Sequence, residues 1–170
     1  MKISIKMIAV SAMLIAMDVV FSRLLALNIL IAKVGLGFTA IAVCAMLYGP
    51  AWAALCAALG DLAGSLLFPT GAYFPGFTVT AALTGLFFGL FLYKNRPGLK
   101  QCFLAALTNG LTVTLVLNTA MISIVFGPKF GPLLVTRLAE FGAMLIIQTL
   151  VMTAICRSDT LYGKLMELRR

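Results

Sequence analysis

Histidine is absent from the 170 residues, and only five side chains are acidic: Asp18, Asp61, Glu140, Asp159 and Glu167. The first absence removes the commonest metal ligand and general base. The second leaves no paired carboxylates in a loop to take its place, so neither a metal centre nor hydrolytic chemistry is expected. Cys44, Cys56, Cys102 and Cys156 are widely spaced, in or at the edges of apolar runs. They show neither a metal-ligand nor a disulfide pattern and read as small buried hydrophobes. Charged residues make up only 11% of the chain. No glycine-rich nucleotide loop of the Walker type is present, nor a long internal repeat or a low-complexity tract. Energy for any transport therefore has to come from a partner or a gradient.

Apolar residues make up 62% of the chain, and the mean hydropathy is +1.11. A soluble domain of this length cannot hide so much apolar surface in one core, whereas a bilayer solvates the outer faces of its helices. At about 20 residues per span there is room for six helices and short loops, with no soluble domain besides. The sequence thus predicts an all-α, polytopic membrane protein, a six-transmembrane-helix bundle over residues 1–170 that forms a single domain.

Gly, Pro and charge mark the breaks. The expected spans are Met7 to Leu25, a short one from Gly35 to Leu47, Ala51 to Phe68, one ending at Tyr93, Cys102 to Phe126, and a last one reaching Cys156 before a charged tail. The first resembles a signal peptide, but it has no clear cleavage site and is expected to remain as a span. The net charge of +8 suggests nucleic acid only superficially, because the cations lie in turns between apolar runs. Placing the N-terminus inside puts Lys2, Lys6, Lys94, Arg96, Lys100, Arg157, Lys164, Arg169 and Arg170 on the cytoplasmic side, against Lys33, Lys129, Arg23 and Arg137 outside. Nine cations against four predict both termini in the cytoplasm.

Polar groups at membrane depth are costly and usually mark a site. Asp18 with Arg23, Asp61, Asn118 with Thr119, and Arg137 with Glu140 all fall in the external half of the bundle. Each has a plainer alternative. Arg137 and Glu140 stand i,i+3 and can pair with each other, Asp18 can serve Arg23 or cap a neighbouring helix, Asp61 can bond backbone beside Gly60, and Asn118 can join helices. Together they point to a pocket open to the outside. The segment from Phe68 to Thr78 adds Tyr73, Phe74 and Phe77 in a turn punctuated by Pro and Gly, suited to stacking a flat heteroaromatic ligand when they are not simple interface residues. Ala9, Ala12 and Ala16 form a small-residue stripe on the first helix, either for packing within the bundle or for docking another membrane protein.

These features resemble the substrate-binding S-components of energy-coupling-factor vitamin transporters, and in particular their folate branch. The length, the six spans, the basic turn and Ala12-x-x-x-Ala16 match the group in general. The run GDLAGSLLFPTGAYFPGFTVTAALTGLFFGLFLYK from Gly60 to Lys94 resembles the folate branch, as do Arg23 in FSRLLAL, Gly49-Pro50 before Trp52, Asn118-Thr119 and Arg137-Leu138. The resemblance implies a non-enzymatic bacterial cell-membrane protein, without cofactor. It would capture folate outside and pass it on with a transmembrane coupling subunit and two ATPases. On that reading Asp61 or Glu140 accepts from the donor edge of a pterin with Asn118 as amide partner and Thr119 beside it. Tyr73, Phe74 or Phe77 stacks on the aminobenzoyl ring, and Arg23, Lys33, Lys129 or Arg137 meets the carboxylates of the tail. Ala12 and Ala16 face the coupling subunit. An S-component for another vitamin, a stand-alone small transporter and a membrane enzyme acting on lipid are the competing readings.

Overall fold

The computed structural model describes residues 4–24, 27–29, 32–69, 73–93, 96–126 and 130–169; for 27–29, 32–34, 124–126, 130–136 and 169 the backbone alone is described. Lys129, one of the expected mouth cations, lies outside the described residues, and Lys33 is placed only by its backbone.

Helices dominate. In chain order they are α1 (Ile5–Val19), α2 (Phe38–Tyr48), α3 (Pro50–Leu67), α4 (Pro75–Leu92), α5 (Leu99–Asn109), α6 (Thr119–Phe126), α7 (Phe130–Arg157) and α8 (Asp159–Arg169). A π-helical stretch, Val20–Leu24, extends α1, and a longer one, Gly110–Asn118, joins α5 to α6. Two three-residue strands, β1 (Leu27–Ile29) and β2 (Ala32–Val34), pair antiparallel. They occupy what the sequence suggested was a plain loop.

Five helical segments are long and apolar enough to cross a membrane: Ile5–Leu24, Pro50–Leu67, Pro75–Leu92, Leu99–Ser123 and Arg137–Arg157. Much of their surface is apolar and outward-facing, as on Met13, Leu55, Leu66, Val79, Leu90, Val116, Ile146 and Leu150. Lipid tails solvate such a surface and water does not. The chain is a multi-pass membrane protein. The short second span appears as α2, which at 11 residues rises only about 16 Å. Its residues Ala42, Cys44, Ala45, Met46 and Leu47 are almost wholly enclosed at the centre of the core. The four cysteines are free thiols, all buried.

Pairwise contacts give the helix directions. Ser11 accepts from Trp52, Asp18 abuts Gly60 and Arg23 abuts Gly64, offsets of 41, 42 and 41 residues. A constant offset means that α1 and α3 run parallel, so the chain between them returns toward its starting end, and α2 is the helix that carries it back. The turn into α3 is Gly49, whose φ of +88° lies in the left-handed region and whose neighbour Pro50 opens the helix.

The closest helix pair is α3 against α4, which run antiparallel. A methyl group on Gly89 would collide with the backbone of Pro50, and one on Gly85 with the carbonyl of Ala53. Gly85 and Gly89 are four apart on one face of α4, so this is a small-xxx-small contact in which backbone touches backbone. Because the obstacles are main-chain atoms, no rotamer change relieves them. We expect Gly89→Leu to abolish the monodisperse, folded protein on size-exclusion chromatography. Gly142→Leu, with nothing near its Cβ position, should behave as wild type; equal behaviour of the two variants would refute this packing argument.

Candidate functional site

Arg23, Asp61, Tyr73, Phe74 and Phe77 lie together at the end of the bundle away from the N-terminus. There α1 and α3 finish and α4 begins. The π-helical turn at Val20–Leu24 swings Arg23 across α3, where Gly64 leaves it room: a Cβ there would stand 3.1 Å from the arginine Nε. The guanidinium reaches one turn back along α3, and Nη2 lies 3.3 Å from Asp61 Oδ1. The other carboxylate oxygen, Oδ2, accepts a 2.9 Å hydrogen bond from Thr78 Oγ1, and the Thr78 hydroxyl meets that of Tyr73 at 2.9 Å. Arg23, Asp61, Thr78 and Tyr73 thus form one continuous polar chain across α1, α3, α4 and the turn before α4.

Asp18 completes the cluster from below. Its side chain is buried (8% exposed) and sits between Gly37 and Gly60, where a methyl group on either glycine would strike the carboxylate. Gly60 and Gly64 are i,i+4 on α3, so one small-residue face accommodates both Asp18 and Arg23. Asp18 interacts electrostatically with Arg23 and Asp61. Asp18 and Asp61 thus bring two carboxyl groups to the neighbourhood of one guanidinium. Carboxylate oxygens at this position suit a ligand edge that presents N–H groups.

The aromatic turn continues from the network. The Phe74 and Phe77 rings meet edge to face with centroids 6.1 Å apart, a favoured aromatic geometry. The Tyr73 ring is half exposed. Gly76 brings Phe74 against Met121 of α6, so the turn abuts the helix that follows Asn118 and Thr119. Both of these residues lie at the end of the long π-helical stretch, and Thr119 Oγ1 donates to Thr114 O, five residues back. Thr119 is fully buried. Among the described residues the buried amide oxygen Asn118 Oδ1 has no hydrogen-bond partner, and the same holds of Asn109 Oδ1, Tyr48 Oη and Thr153 Oγ1. Buried polar atoms are nearly always paired, and Asn118 is the one of these four beside the aromatic turn. Long π-helical stretches are rare and favour functional positions.

Arg137 and Glu140 pair with each other on α7, Nη1 to Oε2 at 2.5 Å, with Glu140 buried. Of the sequence candidates, Arg23, Asp61 and Tyr73 stand in one bonded network, and Phe74 and Phe77 adjoin it. Asn118 and Thr119 approach through Met121, while Arg137 and Glu140 form a separate pair. Ala12 and Ala16 lie elsewhere, exposed on the outer face of α1. Two members were not singled out as site residues. Thr78 was hidden in the aromatic run, although a hydroxyl directly after that run is the visible signal. Asp18 stands in the sequence among the polar groups of the external half, beside Arg23, but without a ligand role.

Residues 6–158 match the family profile described as ECF transporter, substrate-specific component. The folate transporter FolT of Clostridium novyi is 35% identical over 140 residues, covering 82% of this chain and 81% of that one. FolT of Leuconostoc mesenteroides is 36% identical over 95 residues, 55% of this chain and 50% of its own length. Among solved structures, a crystal structure of FolT bound with folic acid superimposes with a TM-score of 0.82 at 33% identity, covering 88% of this chain and 91% of that one. A profile match over nearly the whole length, together with relatives of this identity and coverage, decides the matter: the chain belongs to the substrate-specific components of ECF transporters.

Proposed function

We propose that this protein is the folate-capturing component of such an importer, taking a pteroylglutamate at the outer face of a bacterial cell membrane. The observation that carries this reading is the whole-length likeness to FolT bound with folic acid, at a site whose polar chemistry suits that ligand. The carboxyl oxygens of Asp61 and Asp18 would meet the donor edge of the pterin, and Asn118 would contribute an amide oxygen that has no partner among the described residues. Tyr73, Phe74 and Phe77 would supply ring faces. Arg23 and Arg137 already hold carboxylates within the protein, so a carboxylated ligand tail would share or exchange those partners, with Lys33 and Lys129 as the other cations of the group.

On this reading residues 1–170 form one transmembrane domain of six helices, with α2 as the sixth. The parallel run of α1 and α3 supports it, since the chain must return between them. The excess of nine cations over four supports a cytoplasmic position for both termini. A transmembrane coupling subunit and two ATPases would complete the transporter, and the exposed Ala12 and Ala16 would face the coupling subunit.

Purified protein titrated calorimetrically with folic acid, a reduced folate, pterin alone and a panel of other vitamins should bind the pteroylglutamates to saturation without ATP or metal. It should prefer them to pterin. Saturation by an unrelated vitamin with no response to any folate would refute the assignment.

A further inference from the structure

The helix α8 is not needed to build the ligand site, and the sequence suggested only a charged tail. Its placement is nonetheless closely controlled. Ser158 separates it from α7, and Arg96, from the turn before α5, fastens the junction. Arg96 Nε donates to Cys156 O at 2.8 Å and Nη2 to Arg157 O at 3.0 Å, which satisfies carbonyls that the end of a helix leaves unpaired. Its Nη1 pairs with Asp159 at 2.7 Å, and the guanidinium lies over the Tyr162 ring at 5.2 Å. At the far end of α8, Lys6 Nζ donates to Glu167 O at 3.2 Å. Leu165 and Met166 pack against the core cluster. The helix is therefore held beneath the bundle, with Tyr162, Leu165 and Met166 turned inward.

The two remaining flanks differ in character. At about 100° per residue, Leu161, Lys164 and Leu168 fall within about 60° of one another. Asp159, Gly163 and Glu167, spaced four apart, lie on the other side of the inward face. Leu161 is 52% exposed and Leu168 40%, and Lys164 is exposed beside them. This apolar and basic flank continues a surface already turned to lipid: Ala143, Ile146, Leu150, Ala154 and Arg157 form an exposed stripe down α7 that ends at the junction. Leucines bracketing a lysine at the end of a membrane span suit one environment, in which hydrocarbon meets negatively charged headgroups.

We propose that α8 is an interfacial anchor whose Leu161–Lys164–Leu168 flank binds anionic phospholipid headgroups, with Arg96 as the clamp that fixes its angle to the membrane. The leucines enter the acyl boundary and Lys164 pairs with phosphate, while Asp159 and Glu167 are kept away from the lipid. This assignment stands whether or not the protein binds folate.

The full-length protein in nanodiscs, with photoactivatable phosphatidylglycerol or phosphatidylcholine of matched acyl chains, provides the test. Adducts on residues 158–169 are counted against those on the α7 stripe, which serves as the internal standard. The phosphatidylglycerol probe should label α8 about fivefold more than the phosphatidylcholine probe, the ratio that one lysine near a charged surface supports. Lys164→Glu should remove the difference, Lys164→Arg should keep it, and α7 labelling should stay equal for both probes. Equal labelling of wild-type α8 by the two probes would overturn headgroup recognition, whatever the variants do. Labelling of α7 with none on α8 would overturn the proposal outright, because the flank would then face water or a protein partner.

Discussion

Asp61→Asn should weaken folate binding by about 2–3 kcal/mol, roughly 30- to 150-fold, with the helical fold intact. The substitution keeps the shape of the side chain and removes its charge. Asp61 is the central member of the bonded chain at the site, taking Arg23 on one oxygen and Thr78 on the other. Both side chains of the Arg23–Asp61 pair are largely enclosed, at 15% and 21% exposure. Stranding one partner of a fully buried pair costs about 3–5 kcal/mol, and the residual solvent here justifies a smaller figure. The loss has two sources, an acceptor taken from the ligand edge and an arginine left to reorient. Thr78→Val tests neither directly but probes the network that orients the carboxylate, since it leaves Asp61 and its arginine in place and deletes one charge-assisted hydrogen bond. It should cost about 1.5 kcal/mol. Titration of both variants, with circular dichroism to confirm the helices, decides between a binding role and a scaffold role. Unchanged affinity in Asp61→Asn would show that the network only ties α1, α3 and α4 together.

How much of this was legible in the sequence depends on the range of the interaction concerned. The long spans were readable because lipid solvation demands apolar runs, and Gly, Pro and Lys interrupt them visibly. That Asp61 belongs with an aromatic turn was readable too, because both lie within twenty residues of chain. The partnership of Arg23 with Asp61 was not, since it depends on the parallel alignment of α1 and α3 across an intervening helix. The same alignment makes Gly60 and Gly64 the seats of Asp18 and Arg23, and no local pattern announces that pairing. The hairpin β1–β2 escaped because three-residue strands carry almost no periodicity. The tail was misjudged for a different reason. Its charges were counted as a sum, whereas the arrangement of residues around a helix, with Asp159 in the first turn and Tyr162, Leu165 and Met166 on one side, is what makes α8 a helix with a buried face.

The expected effect of Ala12→Trp is the converse of that at Asp61: transport should be lost and binding kept. Ala9, Ala12 and Ala16 are exposed along one side of α1, with Met13 and Met17 beside them, whereas Met7, Ser11 and Asp18 are buried on the other. Asp18 follows Ala16 by two residues and so points roughly 200° away, into the cluster around Arg23. One helix thus offers a shallow, smooth groove outward and a polar face inward. Small side chains at i and i+4 let a partner helix approach until backbones nearly touch, and a single indole at that point holds the two apart. Nothing in the binding network touches Ala12, so isolated Ala12→Trp protein should titrate with folate as wild type does. Uptake by cells carrying the assembled transporter should fall to background, and the coupling subunit should no longer co-purify. Normal uptake with an indole at residue 12 would show that the stripe faces only lipid. Loss of folate binding with assembly preserved would instead place the stripe inside the ligand-binding machinery, contrary to its exposure in the fold.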